Sequence, residues 1–283
     1  MAGVLYTAIV MGSGQDGGVP RFGSAHAAGP ERTASSLAIV GDDVSAIVLD
    51  ASPDLRRQQI GLEAHAEYAE RSSPAPFDAV LLTHAHMGHY SGLVHFGRES
   101  LNSSAIPCIL SRSMLAFLSS NEPWATLFHD GHLEAVMAEP GAPIDVASEL
   151  RGVAHSVPHR PDFSDNLGFE ITVPSGKSIL YLPDIDRWAD WPEAADVLAG
   201  VDVALIDATF YDAAEHPDRD LDAILHPLVT DIVERFAYLA GGTQLVLTHL
   251  NWTNRLCDPP DRAHERLEEI GLSVAHDGRR FAL

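Results

Sequence analysis

Apolar residues occur in short runs broken by Gly, Pro and Asp, a spacing that predicts strands more often than long helices. Segments 4–11, 37–40, 46–49 and 78–83 are apolar and β-branched and read as strands. A second group lies at 151–157, 167–173 and 178–183, with Pro174-Ser-Gly-Lys177 predicting a hairpin turn. Segments 201–206 and 244–248 follow as strands. Ser52-Pro53-Asp54 has the order of a helix start, with Ser as cap, Pro in the first helical position and Asp54 in the first turn as a macrodipole partner. Further helical patterns cover about 112–120, 190–199, 227–240 and 261–270, and 271–283 reads as one edge strand. The stretch 97–145, with Trp124, Phe128, His129 and His132, is expected to cover the site. Strands and helices interleave without a linker, tail or repeat, so a single α/β layered domain over 1–283 is expected.

Composition narrows the function. At 283 residues and 46% hydrophobic, the chain can bury a sizeable core. Forty Asp and Glu against 18 Lys and Arg give a formal charge of -22, which argues against a nucleic-acid groove or a grip on anionic lipid. Two cysteines, Cys108 and Cys257, cannot build a disulfide framework or a four-thiolate zinc site. The apolar 4–11 segment is too short to span a bilayer and runs into Gly12-Ser-Gly14, so no membrane association is expected and the cytoplasm is the default compartment. The 15 histidines change the picture.

Histidines and carboxylates stand where predicted strands end: His84 and His86 after 78–83, His159 after 151–157, Asp184 after 178–183, Asp207 after 201–206 and His249 after 244–248. Ligands of α/β sheets bind beyond the carboxyl ends of strands, so residues distant in sequence can converge there. One such His is more often a hydrogen-bonded structural residue, but five strand ends together point to a metal. The densest piece is Thr83-His84-Ala-His86-Met-Gly88-His89-Tyr-Ser-Gly92. Residues two apart in extended chain face the same side, so His84 and His86 can grip one ion, with His89 following on a tight turn.

This segment resembles the metallo-β-lactamase fold superfamily of metallohydrolases, whose signature is His-x-His-x-Asp-His after a strand. Val157-Pro-His159, Leu182-Pro-Asp184 and Leu247-Thr-His249 match its later motifs in order. The resemblance implies a four-layer αββα sandwich, with His84, His86, His89, His159, Asp184 and His249 as metal ligands and Asp184 bridging. Gly14-Gln-Asp-Gly-Gly-Val-Pro20, Asp50-Ala-Ser-Pro-Asp54 and Thr248-His-Leu-Asn-Trp-Thr-Asn254 are most similar to the coenzyme PQQ synthesis protein B group. That group carries a cysteine cluster where this chain has Arg21-Phe-Gly-Ser-Ala-His26, so no structural zinc is expected. The biosynthetic protein also lacks the first His-x-His pair, which this chain has, so the pathway is not transferred. Gly88 stands where the superfamily places its second-metal Asp. One tight and one weaker divalent ion are therefore expected, zinc foremost, with iron or manganese as alternatives. Fewer carboxylates leave the ions less neutralised and favour an anionic small-molecule substrate.

Within that resemblance, Asp184 would orient the attacking water. Asp207-Ala-Thr-Phe210 followed by His226-Pro resembles the carboxylate and His pair that serves as general acid in the tRNase Z branch, which makes His226 the candidate acid and Asp207 its orienting partner. The competing reading is that Asp207 caps the following turn and His226 only precedes a helix. Gly12-Ser-Gly-Gln-Asp-Gly17 matches a dinucleotide pattern by letter, yet prolines and glycines follow where a helix should open, so it reads as a rim loop. Asp50 is a candidate hydrogen-bond partner of a ligand His, His155 a packed residue, and Trp188 and Trp191 core. No Gly-x-Ser-x-Gly elbow is present. The expected function is hydrolysis of a phosphoester, other ester or lactone. The alternatives are an iron-dependent oxygenase or a non-catalytic metal-binding accessory protein. The oligomeric state stays open, a homodimer being one option.

Overall fold

Along β1 (Tyr6–Gly12) and β2 (Ser36–Gly41) successive side chains enter two different cores. Tyr6, Ala8, Val10, Leu37 and Ile39 join one, while Ile9, Met11, Ala38 and Val40 join the other. A sheet buried on both faces lies in an inner layer, as the alternation of strand side chains requires. The computed structural model describes residues 4–24, 29–215 and 225–283.

Beyond β1 and β2, the first sheet contains β3 (Ala46–Leu49), β4 (Ala79–Leu81), β5 (Ile106–Leu110) and β6 (Leu133–Met137). The second contains β7 (Pro143–Ala147), β8 (Leu150–Ser156), β9 (Leu167–Thr172), β10 (Ser178–Leu182), β11 (Val203–Asp207), β12 (Gln244–Thr248) and β13 (Leu272–Val274). With β14 (Arg280–Ala282), the orders are β14-β1-β2-β3-β4-β5-β6 and β13-β12-β11-β10-β9-β8-β7. The facing sides share one core, in which Phe169, Ile171, Tyr181 and Leu205 meet Tyr6, Leu37, Ile39 and Leu49. Helices Leu55–Leu62 and Arg112–Ser119 cover the outside of the first sheet, with Leu55, Leu62, Met114 and Leu118 buried against it. Helices Ala194–Ala199, Val229–Phe236 and Arg262–Glu269 cover the outside of the second. Trp188 and Trp191 lie in that outer core, as expected, with Trp188 packed edge-on against Phe236. The result is the four-layer αββα sandwich.

Three expectations are corrected. Segment 97–145 is chiefly framework, because it contributes β5, β6, β7 and two helices. It meets the neighbourhood of the site where Phe117 and Trp124 pack on Tyr90 and where Pro140 and Gly141 line a cavity with His159. His132 instead bonds the Ser103 carbonyl at 2.8 Å, and His129 is exposed beside Asp130. The segment 271–283 forms two strands, one at the edge of each sheet, because Gly278 turns the chain at φ +85° between them. The first helix begins at Leu55, after an Asp54 whose carboxylate accepts from Ala34 N at 3.0 Å and makes no cap bond. Asp54 thus pins the 30s loop and is not a first-turn partner of the dipole.

Candidate metal centre

Strand direction brings the site together. Strands β10, β11 and β12 are parallel, so Leu182, Ile206 and Leu247 lie in register and Asp184, Asp207 and His249 gather at one edge. Strand β8 is antiparallel to β9, and β9 to β10, so two reversals return β8 to the direction of β10 and deliver His159 to that edge. Strand β4 brings His84 and His86 from the other sheet. The two sheets are joined here by Leu167 N to Thr83 O at 3.1 Å and Ala85 N to Ser164 Oγ at 3.0 Å.

At one pole His84 Nε2 is 2.9 Å and His159 Nε2 3.1 Å from His86 Nδ1. Asp184 Oδ2 is 3.4 Å from both His84 Nε2 and His159 Nε2. A tetrahedral zinc with ligands at 2.0–2.1 Å spaces its donors about 3.3 Å apart, so these four atoms have the separations of one coordination shell. The second pole contains His89 Nε2 and His249 Nε2, with Asp16 Oδ1 at 3.2 Å and 3.8 Å from them respectively. Asp184 Oδ2 is also 3.9 Å from His249 Nε2, so one carboxylate faces both poles. Asp16 Oδ1, His89 Nε2 and His249 Nε2 are buried without a hydrogen-bond partner. Buried polar groups are seldom left unpaired, and these orphaned donors fit a cation.

The outward nitrogens are held by a repeated device. His84 Nδ1 is 3.0 Å from Thr83 Oγ1, and that hydroxyl is 3.0 Å from Asp50. His249 Nδ1 is likewise 3.0 Å from Thr209 Oγ1, whose hydroxyl donates to Asp207 at 2.7 Å. His89 Nδ1 reaches Asp50 directly at 2.6 Å, and His159 Nδ1 lies 2.8 Å from Asp186. Such partners place the proton on the outer nitrogen and leave the inner lone pair for a cation. Burial, with neighbouring imidazoles, lowers the pKa of His84 well below its ordinary value, and burial lowers that of His159. Burial also opposes charge on His249, but Asp184, Asp16 and Asp207 outweigh it and lift that imidazole to about 9. His89 is raised well above its ordinary value, its burial outweighed by Asp50 and Asp16.

His226 and Asp207 sit beside this cluster. His226 Nδ1 is 3.2 Å from Asp184 Oδ1 and 3.5 Å from Asp207 Oδ2, so the Asp184 carboxylate is its nearer partner. Burial opposes its protonation, yet the two carboxylates raise it to about 10. Arg160 Nη2 lies 3.3 Å from His226 Nε2. Asp207 also accepts from Ile185 N and Thr209 N, so the turn-capping role holds alongside its place near His226. The helix begins only at Val229, two residues beyond Pro227. His155 pairs with Glu170 at 3.2 Å away from the cluster, and Gly14 bridges Ala34 and Leu250, which makes the glycine loop the rim.

Asp16, Asp186, Thr83, Thr209 and Arg160 were not singled out by the strand-end pattern. The two threonines carry a sequence signal, since each lies within two residues of a strand-end Asp or His. Asp16 has only its place in a rim loop. Neither cysteine belongs to a metal-capable group among the described residues.

A two-sheet sandwich with convergent His and Asp at the strand ends defines the metallo-β-lactamase class of fold. Residues 45–250 match the β-lactamase superfamily domain, and the chain belongs to that superfamily. Within it, the chain is 30% identical to coenzyme PQQ synthesis protein B of Methylorubrum populi, over 95% of this chain and 97% of that protein. The zinc-bound PqqB of Methylobacterium extorquens superposes with a TM-score of 0.83 at 22% identity, covering 98% of this chain and all of that one. A diphosphatase from the PhnP family has the same fold, with a TM-score of 0.70 at 19% identity over 99% of this chain and 97% of that one.

Proposed function

We propose that the protein is a metal-dependent hydrolase acting on an anionic ester, with phosphodiesters the first class to test. The observation that carries this is Asp184, whose Oδ2 lies within 3.4–3.9 Å of His84, His159 and His249 and so faces both poles at once. His84, His86 and His159 would hold one divalent ion, and His89 and His249 a second. An ion there supplies an acidified water, its pKa lowered from ~15.7 to ~7. Asp184 would orient that water, and His226, held between Asp184 and Asp207, would supply a proton to the departing oxygen. Arg160 beside His226 adds positive charge for an anionic group.

The test is metal content of protein purified without added metal and without oxygen, followed by hydrolysis of an aryl phosphodiester, a carboxylic ester and a lactone. Release that depends on metal and stops with chelator is expected. Stoichiometric metal with no turnover on any of the three would leave the accessory role. A second reading is an iron-dependent oxygenase, favoured by the similarity to coenzyme PQQ synthesis protein B together with a His-rich donor set that suits iron as readily as zinc. Oxygen consumption by iron-loaded protein, with no ester cleavage, would establish it in place of the hydrolase.

A further inference from the structure

The resemblance to His-x-His-x-Asp-His leaves a gap at Gly88, and the structure shows what fills it. A Cβ built on Gly88 falls 2.1 Å from Asp16 Oδ1 and 2.7 Å from Asp16 Cα. The second distance decides the matter, because a Cα cannot swing aside as a side chain can. The room that a residue at 88 would use is therefore taken by an aspartate from elsewhere in the chain. Asp16 turns Oδ1 inward, buried and unbonded, toward two equally unbonded imidazole nitrogens of His89 and His249. The three donor atoms lie within 4.8 Å of one another.

The loop carrying Asp16 is anchored on both sides. Gly14 N donates to Thr33 O at 2.9 Å, Gln15 N to Leu250 O at 3.0 Å, and Val19 N to Arg32 O at 2.7 Å. Gly18, at φ +66°, closes the turn with a bond from its N to Gln15 O at 2.7 Å. The carboxylate is thus carried on a fixed backbone beside the end of β12.

We infer that the carboxylate ligand of the second metal position has moved from position 88 to Asp16, and that glycine at 88 is the steric condition for the move. This rests on the metal-dependent reading above. It also reverses a simple expectation: restoring aspartate at 88 does not reinforce the second position but collides with the residue already serving it. A metal there ties together the rim loop, the His86–His89 turn and the end of β12, whereas an aspartate at 88 would add no tie to the rim loop.

The experiment is zinc titration of the metal-free chain, read as equivalents bound per chain and as the dissociation constant of each step. Wild type, Asp16→Asn, Gly88→Asp and Asp16→Gly with Gly88→Asp are compared, with circular dichroism as the fold check. Wild type is expected to take up two zinc ions. Asp16→Asn, which preserves shape, should keep the first and weaken the second by roughly tenfold or more. Gly88→Asp should also weaken the second, and the double variant should not recover it, because a glycine at 16 keeps the Cα that lies 2.7 Å from the new Cβ. A second zinc bound by Asp16→Asn as tightly as by wild type overturns the inference while leaving the metal reading intact. Wild type that binds no zinc, iron or manganese overturns both. Should the double variant fail to fold, Asp16→Asn still decides.

Discussion

Each histidine of the centre performs two tasks with its two nitrogens, one turned inward and one anchored outside. His84 and His86 are anchored by Thr83 and Asp162, bonds that support the ring more than the fold. His84→Ala and His86→Ala should therefore each lose the ion at the first pole while retaining native circular dichroism. Full metal retention in both would remove them as ligands. The poles should also differ in proton release. His84 and His159 are lowered and therefore neutral at pH 7, whereas His89 and His249 are raised and carry protons there. A metal needs the neutral ring, so filling the second pole should release protons and tighten as pH rises toward about 9, the value of His249. In the metal-free chain the sign is opposite for stability: a raised imidazole stabilises fully below its unfolded pKa of ~6.5, and that contribution fades as pH climbs through its folded value. Calorimetric zinc titrations in buffers of different ionisation enthalpy would measure the released protons. At this scale the strand-end rule located His84, His86, His159, Asp184, Asp207 and His249, because each follows a strand with a clear apolar pattern. Asp16 escaped it because its loop reaches the site only through Gly14 and Gln15, which bond to residues far along the sequence.

Elements were legible where burial was complete. Strands β2, β3, β10 and β11 are buried throughout, and each coincides with a predicted apolar run. Strands β6 and β7 each form a sheet edge, with side chains only partly buried, so their sequences carry a weak pattern. Pro107 disguises β5 in the same way, and Pro143 at the start of β7 further disguises that strand. The same logic ranks substitutions. Phe169 is fully buried in the layer between the sheets, so Phe169→Ala should destabilise by about 3–5 kcal/mol through lost contacts and an unfilled cavity. Urea denaturation would measure it, and a loss below about 1 kcal/mol would mean the core collapses around the gap.

Across the whole molecule, the αββα architecture was legible from the order of motifs more than from any single strand, since the site needs ends of both sheets. Charge acts at this scale too. A chain of formal charge -22 repels an anion during approach, even though Arg160 and the proposed metal ions would attract one within the site. Added salt screens the approach over roughly 10 Å at 0.1 M, so kcat/KM for an anionic ester should rise with ionic strength while a neutral ester is unaffected. Falling values for the anion would show that capture is governed by the site's own field.

The pairing of β14 with β1 has a consequence for how the chain is made. Thr7, Ala8 and Ile9 receive Ala282, Phe281 and Arg280 as partners, so one edge of the first strand stays open until residues 280–282 are synthesised. Asp277 then bonds Ser13 and Thr33, and Arg32 reaches Ala275 O, fastening the turn between β13 and β14 against the rim segments. Until those residues leave the ribosome, a nascent chain presents an apolar strand edge to its neighbours on the same message, the interval in which strand-to-strand aggregation competes with closure.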